Sequence, residues 1–231
     1  MIRFIFSPRW FYGIDSSFEV ASIFVTLLIA IASYRFYKFS KEVRYKYFAW
    51  SLLAIAISFA AKILTNINVY YSVLEHRTIG FLQITFTTIR YSDIFEIAGF
   101  TTYRFLTLLG FLGLFSLLQK NVDKRQFILL SYCFFIISVF STSWYYLFHL
   151  TLALLLLFIC MHYLDHYRKQ RIRQSRLIFV ALLMILVSHI VSVFVEANLM
   201  LYVVAESLQL LGFLVLLYSF YTLKHDQKNK T

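Results

Sequence analysis

Residues 177–223 read LIFVALLMILVSHIVSVFVEANLMLYVVAESLQLLGFLVLLYSFYTL. The stretch holds two apolar runs, 177–196 and 199–223, each close to the ~20 residues that a helix needs to cross a bilayer. Apart from tyrosines, only His189, Glu196 and Glu206 interrupt it with ionisable side chains. A turn at Ala197-Asn198 therefore joins two membrane helices.

Five more runs precede these two: 15–38, 47–69, 97–118, 126–142 and 144–166. The expected fold is an all-α integral membrane protein, one seven-transmembrane-helix bundle occupying 1–231 as a single domain. A mean hydropathy of +0.73 and 61% hydrophobic residues exclude a soluble domain, which would lack the polar surface to cover itself. One Pro and six Gly suit unbroken helices rather than the interrupted helices of many transporters. The first 15 residues contain Arg3 and Arg9 but neither a long apolar stretch nor a small-residue cleavage site, so the first run is expected to serve as an uncleaved signal anchor.

The net charge of +11 would suit nucleic acid, but its distribution argues for a bilayer instead. Arg35, Lys38, Lys41, Arg44 and Lys46 lie between runs one and two, and Lys120, Lys124 and Arg125 between three and four. Arg168, Lys169, Arg171, Arg173 and Arg176 lie between five and six, and Lys224, Lys228 and Lys230 follow the last. These alternate segments hold sixteen of the 22 basic residues. The opposite side has Arg3, Arg9, Arg77 and Arg90 against Asp15, Glu75, Asp93, Glu96 and Glu196. Positive segments stay in the cytoplasm, which places the N-terminus outside and the C-terminus inside and requires an odd number of spans. The basic face meets anionic lipid or a cytoplasmic partner protein. A multi-pass protein of the cell membrane is the expected localisation.

Aromatic belts mark both boundaries. Tyr34, Tyr37, Tyr45, Tyr47, Trp50, Tyr163, Tyr167, Tyr218 and Tyr221 fall at the inner one; Trp10, Tyr12, Trp144, Tyr145, Tyr146 and Tyr202 fall at the outer one. The segment Tyr70–Glu96 belongs to neither. Its centre, Ile79–Ile89, is rich in β-branched and aromatic residues and too short to span, which suits a hairpin strand, an interfacial helix or a lid. Asp15 or Ser16 is the expected N-cap of the first helix. Cys133 and Cys160 lie in the inner half with no CxxC or Cys/His spacing, so they read as small apolar side chains.

Ionisable residues inside the runs carry the functional argument. Glu19, Lys62, Arg104, His149, His189 and Glu206 each lie about four to seven residues from the outer end of their run, roughly 7–11 Å deep at 1.5 Å per residue for those used to gauge depth. Such a group costs ~2.5–3.5 kcal/mol or more in hydrocarbon and marks a site by default. Residues three or four apart share a helix face. The faces are Glu19/Ser22/Thr26, Ser58/Lys62/Asn66, Thr101/Arg104/Thr107, Tyr145/His149, His189/Ser192/Glu196 and Tyr202/Glu206/Gln209. Glu19, Lys62, Asn66, Arg104, His149, His189, Glu206 and Gln209 thus form a candidate binding layer for a small extracytoplasmic ligand. The bland alternative is hydrogen-bonded helix glue, with Lys62 or Arg104 paired to Glu206 or Glu19.

Particular chemistries can be tested against that layer. A retinal Schiff base needs a lysine within the seventh helix, and none occurs between Asn198 and Leu223. Haem between His149 and His189 finds little width between consecutive helices. A metal hydrolase would take His149, His189 and Glu206 as ligands with an open position for water, yet their spacing matches no known motif and HExxH is absent. No cofactor or metal is therefore expected. Two functional classes compete: a ligand-binding module, receptor-like or transport-like, and an enzyme acting on lipid headgroups. Few polar groups occupy the inner half to complete a path across, which favours receptor or enzyme over transporter.

The basic turn followed by Tyr45-Lys46-Tyr47-Phe48-Ala49-Trp50 resembles the seven-helix sensory region at the N-terminus of many microbial histidine kinases. The chain is also similar to small stand-alone seven-helix membrane proteins of archaea. The resemblance lies in topology and composition; it implies an outward-facing signal pocket coupled to a cytoplasmic module and transfers no site residue. The sequence ends at Thr231, eight residues past the last run, so signalling is expected to need a separate partner.

Overall fold

In the computed structural model, residues 7–75, 85–119, 123–171 and 173–228 are described. They form seven helices: α1 (Ile14–Ser40), α2 (Val43–Glu75), α3 (Thr85–Leu118), α4 (Lys124–Phe140), α5 (Tyr145–Gln170), α6 (Arg173–Val193) and α7 (Met200–Lys228). Six of them, all but α4, are long and apolar enough to cross a membrane. A single 3-10 turn at Arg9–Phe11 precedes α1.

Helix ends follow local chemistry. Gly13, at φ 83°, turns the chain into α1 and is its N-cap, a correction to the expected Asp15 or Ser16. A left-handed cap suits glycine because it has no Cβ to clash. Asp15 serves the first turn from inside, its Oδ1 accepting from the N–H groups of Gly13 (3.1 Å) and Ser16 (2.7 Å). At the basic end, Lys41 and Arg171 take the left-handed conformation, and their N–H groups donate to Tyr37 O and Tyr167 O. These bonds close α1 and α5 while keeping cations beside carbonyl-rich helix ends.

Contacts run α1–α2–α3–α5–α6–α7 and back to α1, a closed ring of six. α4 packs outside it, mainly against α3. Ring contacts set the directions. Tyr103 meets Phe148, and twelve residues further along α3, Phe115 meets Phe158, so α3 and α5 are parallel. α4 must therefore run back along the bundle to join them. In α4 only Phe134 and Ser138 are buried, while Ile128, Leu129, Tyr132, Phe135 and Phe140 are exposed. Phe24, Leu28, Leu64, Leu154 and Phe158 on ring helices are also exposed, whereas Thr26, Ser33, Ser58 and Ser138 are fully buried. Apolar side chains outside and hydroxyls inside suit a bundle solvated by lipid.

The N-terminal ends of α1, α3, α5 and α7 lie with the C-terminal ends of α2 and α6 at one end of the bundle. Lys41 and Arg171, in turns, and Lys124, Arg125 and Arg173, at the starts of α4 and α6, lie at the other. The sequence reading placed the second helix at 47–69 and began the third at 97, and both are longer. The parts of Tyr70–Glu96 within α2 and α3 are helical, where a hairpin strand, an interfacial helix or a lid was expected, so the strand is excluded there; residues 76–84, which take in the first half of Ile79–Ile89, lie outside the described residues. β-Branched composition is a weak preference that tertiary packing overrides. α2 and α3 are the most extensively packed pair.

Glycines allow that closeness. A Cβ on Gly110 would lie 2.9 Å from the Ser51 carbonyl oxygen and would also strike Ile55; one on Gly212 would lie 2.9 Å from Ala181 O. Backbones this near gain dispersion that larger residues forbid. Gly110→Ala should therefore overpack the α2–α3 contact and cost about 1–3 kcal/mol, read as a lower midpoint of thermal unfolding in detergent. Leu129→Ala, on the exposed face of α4, should leave the midpoint almost unchanged; equal losses would show that the close approach is not formed.

Candidate functional site

Lys62 sits on α2 with little solvent contact, 7% exposed, and an ammonium there needs anions. It has two. Its Nζ lies 2.8 Å from Glu19 Oε1 on α1 and 2.7 Å from Glu206 Oε1 on α7. Asn66, one turn further along α2, donates through Nδ2 to Glu19 Oε1 at 3.2 Å and Oε2 at 3.4 Å. The expected pairing of a cation with either glutamate is thus met at Lys62 by both at once. The rings of Tyr103 and Tyr202 lie 5.4 and 5.8 Å from Nζ, close enough for cation–π attraction.

A second cluster joins α5 to α6. His149 Nδ1 and His189 Nδ1 are 3.0 Å apart, so one ring donates and the other accepts. Both residues are buried. Tyr145 packs on His149 with centroids 4.6 Å apart. Phe148 touches both imidazoles and, on its other side, Tyr103. An aromatic wall of Tyr103 and Phe148 therefore connects the ion cluster to the histidine pair.

Arg104 is buried beside this wall, its Cζ 5.8 Å from the Phe100 ring. Neither ion pair formed among the described residues includes it. Gln209 is buried one turn beyond Glu206 on α7. Thr107 donates to Ser58 at 2.9 Å, an α3–α2 link of the glue type. The structure thus brings Glu19, Lys62, Asn66 and Glu206 into one contact and His149 and His189 into another. Among the described residues no three His, Cys, Asp or Glu side chains are arranged to hold a metal ion. Of the three residues considered as metal ligands, His149 and His189 meet while Glu206 is engaged by Lys62.

The tyrosines show what periodicity alone hides. Tyr202 was read as part of the outer aromatic belt as well as of a polar stripe, and it turns inward over Lys62. Tyr145 likewise packs on His149. Tyr103 was not singled out, although its place next to Arg104 puts it at the same depth. Depth also differs by helix. Glu19, His149, His189 and Glu206 lie about 6–9 Å from their helix ends, but Lys62 lies about 20 Å from the end of α2 at 1.5 Å per residue. α2 and α3 therefore carry on past the level at which the other ring helices stop.

No protein-family model, curated protein or solved structure matches this chain.

Two carboxylates around one ammonium leave the triad with a surplus negative charge when both are ionised. Lys62→Met would remove the triad's only cation and leave Glu19 and Glu206 facing each other, a loss of about 3–5 kcal/mol. Glu206→Gln leaves one intact Glu19–Lys62 pair and should cost less than Lys62→Met. The Lys62→Met/Glu206→Gln double variant should regain part of the loss. Thermal unfolding of the four proteins measures this, and additive losses would show that the triad is not coupled.

Proposed function

We propose that this is a receptor-like, seven-span protein of the cell membrane that binds a small ligand from outside and signals through a cytoplasmic partner. One observation carries the reading: five ring helices contribute charged or imidazole side chains to two linked, buried clusters at one level, near one end of the bundle. Helix glue needs hydroxyls, as Ser58 and Thr107 supply here. It does not need an ion triad and a histidine pair, each far more costly to bury. The basic turns at the opposite end support a cytoplasmic location for that end. α4 counts as the seventh span because it returns the chain between parallel α3 and α5.

Glu19–Lys62–Glu206 offers a route for the signal. The triad ties α1, α2 and α7 together, and α1 and α2 meet at Lys41 in the basic turn. A ligand bound beside the triad shifts α1 or α7 against α2, which a partner protein at the basic face reads. The resemblance to kinase sensory regions points to the same direction of information flow. A transport path is less well supported, since below the clusters the core is Phe59, Phe111, Phe213, Leu52, Ile55 and Leu156.

Reporters inserted in the Ser141–Trp144 turn and fused after Thr231 should lie on opposite sides of the membrane, with the second in the cytoplasm. A shared location would reject the seven-span arrangement. Native mass spectrometry with elemental analysis is expected to find a bound small molecule and no stoichiometric metal. A stoichiometric metal lost in both His149→Ala and His189→Ala would transfer the site to the enzyme reading, with water activated at the metal.

A further inference from the structure

Two nitrogens of the layer are buried and unanswered. Arg104 is 5% exposed, and its Nη1 has no hydrogen-bond partner among the described residues. His189 is 1% exposed, and with Nδ1 turned to His149 its Nε2 has no partner either. Buried donors are seldom left so, and each such case calls for an explanation. Lys62 is the opposite case, with two carboxylates already in place.

A guanidinium is always charged and has five N–H donors in a fixed fork that matches carboxylate or phosphate oxygens. Arg104 follows Tyr103 on α3, whose ring meets Phe148 of α5, and Phe148 touches both imidazoles. The imidazole pair can serve an anion without gaining charge. If His149 donates its Nδ1 proton, His189 accepts at Nδ1 and carries its proton on Nε2, which is then a second donor.

We propose that Arg104 anchors an anionic oxygen group, carboxylate or phosphate, and that Lys62 stays outside this contact. The proposal rests on the ligand-binding reading above and names the chemistry of the ligand. The same oxygen chemistry is offered by a soluble anion and by an anionic lipid headgroup. The rival account is that Arg104 only balances, at a distance, the surplus negative charge of the Glu19–Lys62–Glu206 triad.

The full chain in phosphatidylcholine nanodiscs would be unfolded thermally at constant ionic strength with added inorganic phosphate, acetate or choline. A parallel set would replace part of the phosphatidylcholine with phosphatidylglycerol. A saturating anion should raise the midpoint by roughly 5–10 °C. A response to phosphate or acetate alone identifies a soluble anion; a response to phosphatidylglycerol alone identifies a lipid headgroup. Arg104→Gln should abolish the shift and Arg104→Lys should keep part of it, while Lys62→Met/Glu206→Gln should retain it from its own baseline. An Arg104→Gln protein that responds like the unaltered chain would overturn the proposal. Stabilisation by choline but by no anion would overturn the anion assignment and leave the binding reading standing. No shift with any probe would count against both. If Arg104→Gln does not fold, the unaltered chain and Arg104→Lys still decide between these outcomes.

Discussion

An ammonium group in hydrocarbon cannot be left alone, and the bundle is arranged around that constraint at Lys62. Its two anions come from the first and last helices, Glu19 and Glu206. For Glu206 to reach Lys62 beside Glu19, α7 must come back beside α1, and this return closes the six-helix ring. Lys62–Glu206, Phe59–Phe213 and Phe48–Phe220 set α2 and α7 antiparallel over much of their length. Gly110 and the Thr107–Ser58 bond then hold α3 close to α2. A buried ion pair is weak evidence for stability because its desolvation offsets its attraction. Its well-attested use is to fix register, and here it fixes which helices are neighbours.

The bundle divides along its axis into an ionic part and an apolar part. Glu19, Lys62, Asn66, Arg104, His149, His189 and Glu206 are buried at one level, and Leu52, Ile55, Phe111, Leu156, Ile159 and Phe213 fill the interior beyond it. Close-packed aromatic and aliphatic side chains do not relay ions or protons. They do transmit displacement, because a packed interior has low compressibility and moves as rigid elements. On the proposed receptor reading, a displacement at the ionic end would leave as movement of whole helices, with α1, α2 and α7 the ones the triad couples.

Much of this was legible in the sequence, for physical reasons that also mark where it stopped. Apolar runs of membrane length predict helices because the backbone has no other way to satisfy itself in lipid, and each of the seven runs is helical over most of its length. Regular spacing placed Glu19, Lys62, Glu206 and both histidines at a common level. The ring order was not readable: short linkers suggest sequential neighbours, yet α5 lies beside α3 and α4 lies outside. Nothing in the composition of α4 separates a lipid-facing helix from a ring helix, since both are apolar. The lengths of α2 and α3 were missed because hydropathy detects the membrane and not the helix, so helix continuing past the apolar span falls below its threshold. Which anion answers which cation depends on side-chain geometry that spacing cannot supply. So does the inward turn of Tyr202 and Tyr145, residue types equally at home in an interfacial belt.

The layer is nearly neutral in count but not in arrangement. Lys62 and Arg104 match Glu19 and Glu206 in number, yet both carboxylates lie on Lys62. One half, between α1, α2 and α7, has its cation paired with both carboxylates. The other half, on α3 beside the α5–α6 histidine pair, has a cation with no carboxylate among the described residues. Attraction across a low-dielectric interior is strong enough for the halves to stabilise one another at a distance. Uneven pairing has a consequence for recognition all the same. Were Arg104 paired and Lys62 free, the anchor for an anion would be a compact ammonium donor that tolerates many geometries. If Arg104 holds the ligand as proposed, the anchor is a planar fork of donors backed by Phe100, which would favour a planar carboxylate or an oriented phosphate over a simple halide.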